Sequence, residues 1–231
     1  TEYTLDRRLG CWELGMPIPG RINTRRVRET YYGPNQQHNG ATRIWTTYYE
    51  RDFIEGVATD KIPDPWFQDV GFSLGFARLL GRAAAPNLVV GRVARDDTVV
   101  FDTGDEMLIL HSDGSPDRIV VADHASTFTD YEKPLLSFVH DYARPVTSRL
   151  HLVPDPEAFR ETYIRAFAER LREMQQEHSR RRRAFDKLFQ HSKQGEGTFS
   201  WRWARVLTRL DSTDVNAFTD APRRAYVQAQ P

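Results

Sequence analysis

Cysteine is nearly missing from this chain: Cys11 is the only one in 231 residues. A single thiol forms no internal disulfide and builds no cysteine-based zinc site. Long apolar runs are missing too, since none approaches the roughly 20 residues a membrane span requires. The first ten residues, TEYTLDRRLG, lack the apolar stretch of a secretory signal. One cysteine and no signal lead to the expectation of a cytoplasmic protein, or an effector exported by another route, with no membrane span. The chain also starts without an initiating Met, which suggests that part of a domain lies upstream of Thr1. An excess of either charge is likewise absent: 32 Lys plus Arg balance 32 Asp plus Glu. Bulk charge therefore gives no argument for nucleic acid as a partner, and none is expected, although local basic patches stay open.

Several fingerprints are also absent. The seven histidines show no HExxH or other metal spacing, and there is no GxxxxGK[ST] or GxGxxG. Asp123-His124 followed by Ser126 has a hydrolase flavour, but no GxSxG elbow occurs.

What is present suits a folded domain. Hydrophobic residues make up 39% and aromatic residues 12%, enough for a core. Leu5, Leu9 and Trp12 have helical spacing, ended by Pro17-Ile18-Pro19-Gly20. Residues 21–32 and 42–53 read as two strands, joined by the polar stretch GPNQQHNG at 33–40. Apolar residues crowd 66–81, WFQDVGFSLGFARLLG, which reads as a core helix. NLVVGR (87–92) and DTVVFD (97–102) read as short buried strands, and 107–123 as a hairpin turning at Ser112-Asp113-Gly114.

The second half is helical. Asp155-Pro156-Glu157 is a helix-start signal. From there Phe159, Tyr163, Phe167, Leu171 and Met174 recur at spacings of 4, 4, 4 and 3, so a long amphipathic helix is expected to about Phe189. Residues 199–210 add a last helix with Trp203, Val206, Leu207 and Leu210 on one face. The run Arg180-Arg181-Arg182-Arg183 spreads around a helix and reads as solvated surface with a few salt bridges. Phe185 and Phe189 have core spacing rather than interleaving with it. A β-rich first part followed by a helix-rich second part gives an α+β class.

One local pattern carries candidate chemistry. Asn87 opens NLVVGR and Asp102 closes TVVFD, so two strand ends would meet at one edge. Magnesium takes oxygen ligands at about 2.0–2.1 Å and usually completes its shell with water and phosphate. An Asn amide and a carboxylate suit such a nucleotide–metal site, with Asp105 or Glu106 assisting. A capping Asn and an acidic turn with no ligand explain the same residues equally simply.

The order of these parts resembles the protein-kinase-like superfamily, nearest the aminoglycoside phosphotransferase branch. WELGMPIPGRI (12–22) resembles that branch's entry into a strand, RDFIEG (51–56) its inter-lobe segment, and VVFDTGDE (99–106) its Asp-x-Gly motif. The resemblance implies a two-lobe fold: a partial β-rich small lobe with hinge over 1–56 and a helical large lobe over 57–231. It implies ATP and Mg as cofactors, with Asp52, Phe53, Ile54 and Glu55 lining the adenine pocket. Asn87, Asp102 and Asp105 would hold the metal, and Arg82 would steady the phosphates. The family's catalytic Asp precedes its Asn by about five residues, but Gly81–Pro86 contains no acid. The Gly-rich loop and its Lys are not found and would lie upstream of Thr1 or on another chain.

Three functions follow as expectations. One is an atypical phosphotransferase acting on a protein or small molecule. The second is an inactive pseudokinase or adaptor. The third is an α+β interaction domain unrelated to kinases.

Overall fold

A computed structural model describes residues 23–31, 42–50, 55–89, 106–121, 149–189, 195–196, 198–217 and 219. By contact the chain divides into two compact units, Pro19–Glu55 and the remainder.

The smaller unit holds one hairpin. Strand β1 (Asn23–Tyr31) pairs antiparallel with β2 (Thr42–Glu50), in a register from Asn23 opposite Glu50 to Tyr31 opposite Thr42. Threonine, isoleucine and aromatic residues dominate β2, the types that fit a pleated surface, and β1 mixes threonine, valine and tyrosine with three arginines. The loop read at 33–40 lies outside the described residues.

In the larger unit, β3 (Val57–Ala58) leads through two short 3-10 turns, Thr59–Lys61 and Asp64–Gln68, into helix α1 (Val70–Val89). Strands β4 (Glu106–Leu110) and β5 (Pro116–Val121) follow, and the sheet order is β3-β4-β5, all antiparallel. Helices α2 (Pro156–Phe189) and α3 (Phe199–Asp211) complete the unit. The described residues thus form an α+β arrangement of helices with small antiparallel sheets.

The start of α1 is set by Asp69, not Trp66. The Asp69 carboxylate accepts a hydrogen bond from the Phe72 amide at 2.6 Å, filling one of the donors a helix N-terminus leaves open. Residues 64–68 consequently form a 3-10 turn. The end differs more. The helix expected to stop at Gly81 runs on to Val89 and includes Pro86. Ala83-Ala84-Ala85 is strongly helix-forming. Ala84, Ala85 and Val89 are also fully buried, so packing outweighs the hydrogen bond that Pro86 removes. The strand expected at 87–92 therefore begins as helix.

The β4–β5 hairpin turns as its sequence suggests. The His111 amide donates to the Ser115 carbonyl at 2.9 Å and the Gly114 amide to the His111 carbonyl at 3.0 Å. Asp113 accepts from the Ser115 hydroxyl at 2.6 Å and amide at 2.9 Å, and Gly114 takes a φ of 83° that favours glycine.

Helix α1 packs mainly on α2, with Phe67, Phe72 and Phe76 forming an aromatic cluster at its start. All five periodic residues of α2, Phe159 to Met174, are buried. Trp203, Val206 and Leu210 of α3 join the same core, with Leu207 at its margin. Asp155 accepts from the Ala158 amide at 2.9 Å and so caps α2, as its sequence signal predicts.

Candidate functional site

The three-stranded sheet gathers several chain ends at one place. Glu106, the first residue of β4, lies opposite Val121, the last of β5, and Ala58, the last of β3, lies opposite Met107. The chain thus enters β4 directly from the acidic stretch DTGDE, at the end where it leaves β3 into Thr59-Asp60. It leaves β5 there too, and its sequence continues Ala122-Asp123.

Asp60 is the described carboxylate at this end. Its Oδ2 meets Lys61 Nζ at 3.0 Å. Its Oδ1 is buried, and no donor reaches it among the described residues. The backbone around it is fixed by Arg149, whose Nη2 donates to the Asp60 carbonyl at 2.6 Å and Nη1 to the Ile62 carbonyl at 2.7 Å. The same guanidinium lies 5.5 Å from the centre of the Phe67 ring. A cation–π contact and two hydrogen bonds therefore hold Thr59–Ile62 in place. No group of three His, Cys, Asp or Glu among the described residues is arranged to hold a metal ion.

Arg82 sits elsewhere, on the α1–α2 interface. Its Nη1 and Nη2 donate to the two Glu173 oxygens at 3.0 and 2.8 Å, a bidentate pair. Arg170 donates to Glu173 Oε2 at 2.8 Å as well. The hydrogen bond from Arg82, helped by Arg170, holds the Glu173 carboxyl below its ordinary value of 4.5, against the opposing effect of partial burial.

The backbone of Asn87 lies in the last turn of α1, not at the start of a strand. Glu55 is exposed. Asp52, Phe53, Ile54, Asp102 and Asp105 lie outside the described residues. Sequence reasoning passed over Asp60, Arg149 and Glu173. Asp60 carried a weak signal, an acid directly after a strand. Arg149 and Glu173 carried none, because their partners lie 87 to 91 positions away in the chain.

No protein-family model matches this chain, and neither a curated protein nor a solved structure matches it. Among the described residues, no helix is long and apolar enough to cross a membrane.

Proposed function

We propose that this is a kinase-like protein that binds ATP with Mg²⁺ at the end of the β3–β4–β5 sheet and uses the pair in phosphoryl transfer. The supporting observation is the register of the hairpin. It brings Glu106 and Val121 to the same sheet end as Asp60, whose Oδ1 is buried without a described donor; in the sequence Asp102 and Asp105 precede the first and Asp123 follows the second. A buried carboxylate oxygen lacking a donor is stabilised by a cation.

The length of α1 counts against one part of the resemblance. GRAAAPNLVVGR (81–92) would be its catalytic loop, with no acid in Gly81–Pro86. Those residues are helical, so a loop following this helix begins beyond Val89. The next acids in the sequence are Asp96, Asp97, Asp102 and Asp105. In this reading Asp102 remains the main metal ligand, with Asp105 and Asn87 as the others the resemblance implies. Catalysis then rests on positioning and neutralising phosphate charge, which is most of what phosphoryl transfer asks of a protein. Arg82 reaches a phosphate only by exchanging Glu173 for it.

The experiment is a melting curve with and without Mg²⁺ and ATP, followed by an assay of ATP consumption. Ligand at a hundred times its dissociation constant stabilises by about 2.7 kcal/mol, a shift of several degrees. Mg·ATP should raise the melting temperature of the wild type and not that of Asp102→Ala. A shift without turnover assigns the chain to the pseudokinases. No shift with either ligand removes the nucleotide reading and leaves an interaction domain.

A further inference from the structure

We infer that the far half of α2 together with α3 forms a surface for single-stranded nucleic acid, independent of the nucleotide site proposed above. The zero net charge of the chain conceals a segregation. Residues 172–211 carry ten Lys and Arg against five Asp and Glu, a net charge of +5, so the rest of the chain carries −5.

The two basic helices touch at one place. His178 of α2 meets Asp211 of α3, Nδ1 to Oδ1, at 2.9 Å. Gln175 Nε2 donates to the carbonyls of Leu210 and Thr213, both at 2.8 Å. This contact is a common origin for distances along both helices. Arg183 lies five residues beyond it and Arg205 six residues before it, about 7.5 and 9 Å at the helical rise. Arg180, Arg182 and Arg183 on α2, and Arg202 and Arg205 on α3, are all exposed. Three acids temper the field: Glu177 pairs with Arg180 at 2.9 Å, Asp211 with His178, and Asp186 follows Arg182 and Arg183 by four and three residues on α2.

The choice among polyanions comes from Trp201. This indole is half-buried, and the Arg205 guanidinium lies 4.3 Å from its ring centre. A planar cation over a half-buried aromatic is a platform on which an unpaired base can stack, while the surrounding arginines take phosphates. Sulfated polysaccharides and anionic lipid surfaces offer the charge but no base. An aromatic interleaved with arginines was the feature missing from the run 180–183 alone, and α3 supplies it.

The test uses the full chain and a labelled 20-nucleotide oligo-U, followed by fluorescence anisotropy at 50 to 200 mM salt. Four arginines engaged on phosphates give a log–log salt slope of about −2.8, a loss on the order of fiftyfold across that range. Arg182→Glu with Arg183→Glu should weaken binding at least tenfold and flatten the slope by about 0.7 for each phosphate no longer neutralised. Arg165→Glu, a reversal at an exposed position in the first half of α2, should change it less than twofold. Arg205→Ala should weaken oligo-U several-fold more than it weakens a heparin fragment. Absence of binding at 50 mM salt, or indifference to the double reversal, overturns the proposal. Equal losses of oligo-U and heparin on Arg205→Ala, or stronger binding to phosphatidylserine vesicles than to oligo-U, also overturn it, in favour of a polyanion or membrane surface.

Discussion

Gly81 is the residue with the least room. A Cβ there would fall inside contact distance of the Tyr163 carbonyl oxygen and lie 3.0 Å from the Phe167 amide nitrogen. Both neighbours are helix backbone and move only if α1 and α2 separate. Gly81→Ala should therefore destabilise the protein by about 1–3 kcal/mol, as overpacking does, although alanine is the better helix former. Urea unfolding checks the sign; a stabilised Gly81→Ala variant would contradict the close approach. At the same interface Glu173 makes stability depend on pH. Its folded value is depressed, chiefly by Arg82. Its contribution is therefore present above about pH 4.5 and lost as pH falls through the folded value. Its side chain is 43% exposed and that of Arg82 38%, so solvent screening holds the pair to below about 1 kcal/mol. Glu173→Gln should lower stability at neutral pH and flatten the acid limb below about pH 4.5, read from midpoints in denaturant.

Elements here begin where polar side chains permit and end where packing releases them. Asp69 and Asp155 each satisfy an amide of the first helical turn. Asp69→Ala should cost about 1 kcal/mol, measured by equilibrium unfolding, and its loss should fray α1 first at Phe72. The cap of α2 is legible in Asp155-Pro156-Glu157; that of α1 is not, because the apolar run from Trp66 reads as helix before Asp69 is reached. Nor is the other end of α1. Gly81 and Pro86 are local stop signals, and the helix passes both because Ala84, Ala85 and Val89 are buried against other elements. Arg209, itself buried, donates to the Val89 carbonyl at the helix C-terminus, where positive charge is favourable. That hydrogen bond spans 120 positions of chain, so no local pattern could announce it.

At the scale of the larger unit, one cluster of buried side chains runs from Ile62 to Val215 and includes residues from α1, β4, β5, α2 and α3. Such a core should unfold cooperatively. Amides of Leu108, Phe167 and Val206 should then exchange with solvent at one common free energy, and Leu171→Ala should lower all three together by about 2–5 kcal/mol. Separate free energies would show that α3 detaches by itself.

Local pattern was enough for the α+β class, the β1–β2 and β4–β5 hairpins, the cap of α2, and the buried stripe of α2. Each follows from side-chain period, turn chemistry or a hydrogen bond within a few residues. Packing of distant segments was needed to carry α1 through Pro86, to turn Arg82 toward Glu173, and to set Asp60 at the sheet end where DTGDE enters. Those outcomes depend on pairs separated by tens of residues, and their energies exist only once the helices and sheet have met.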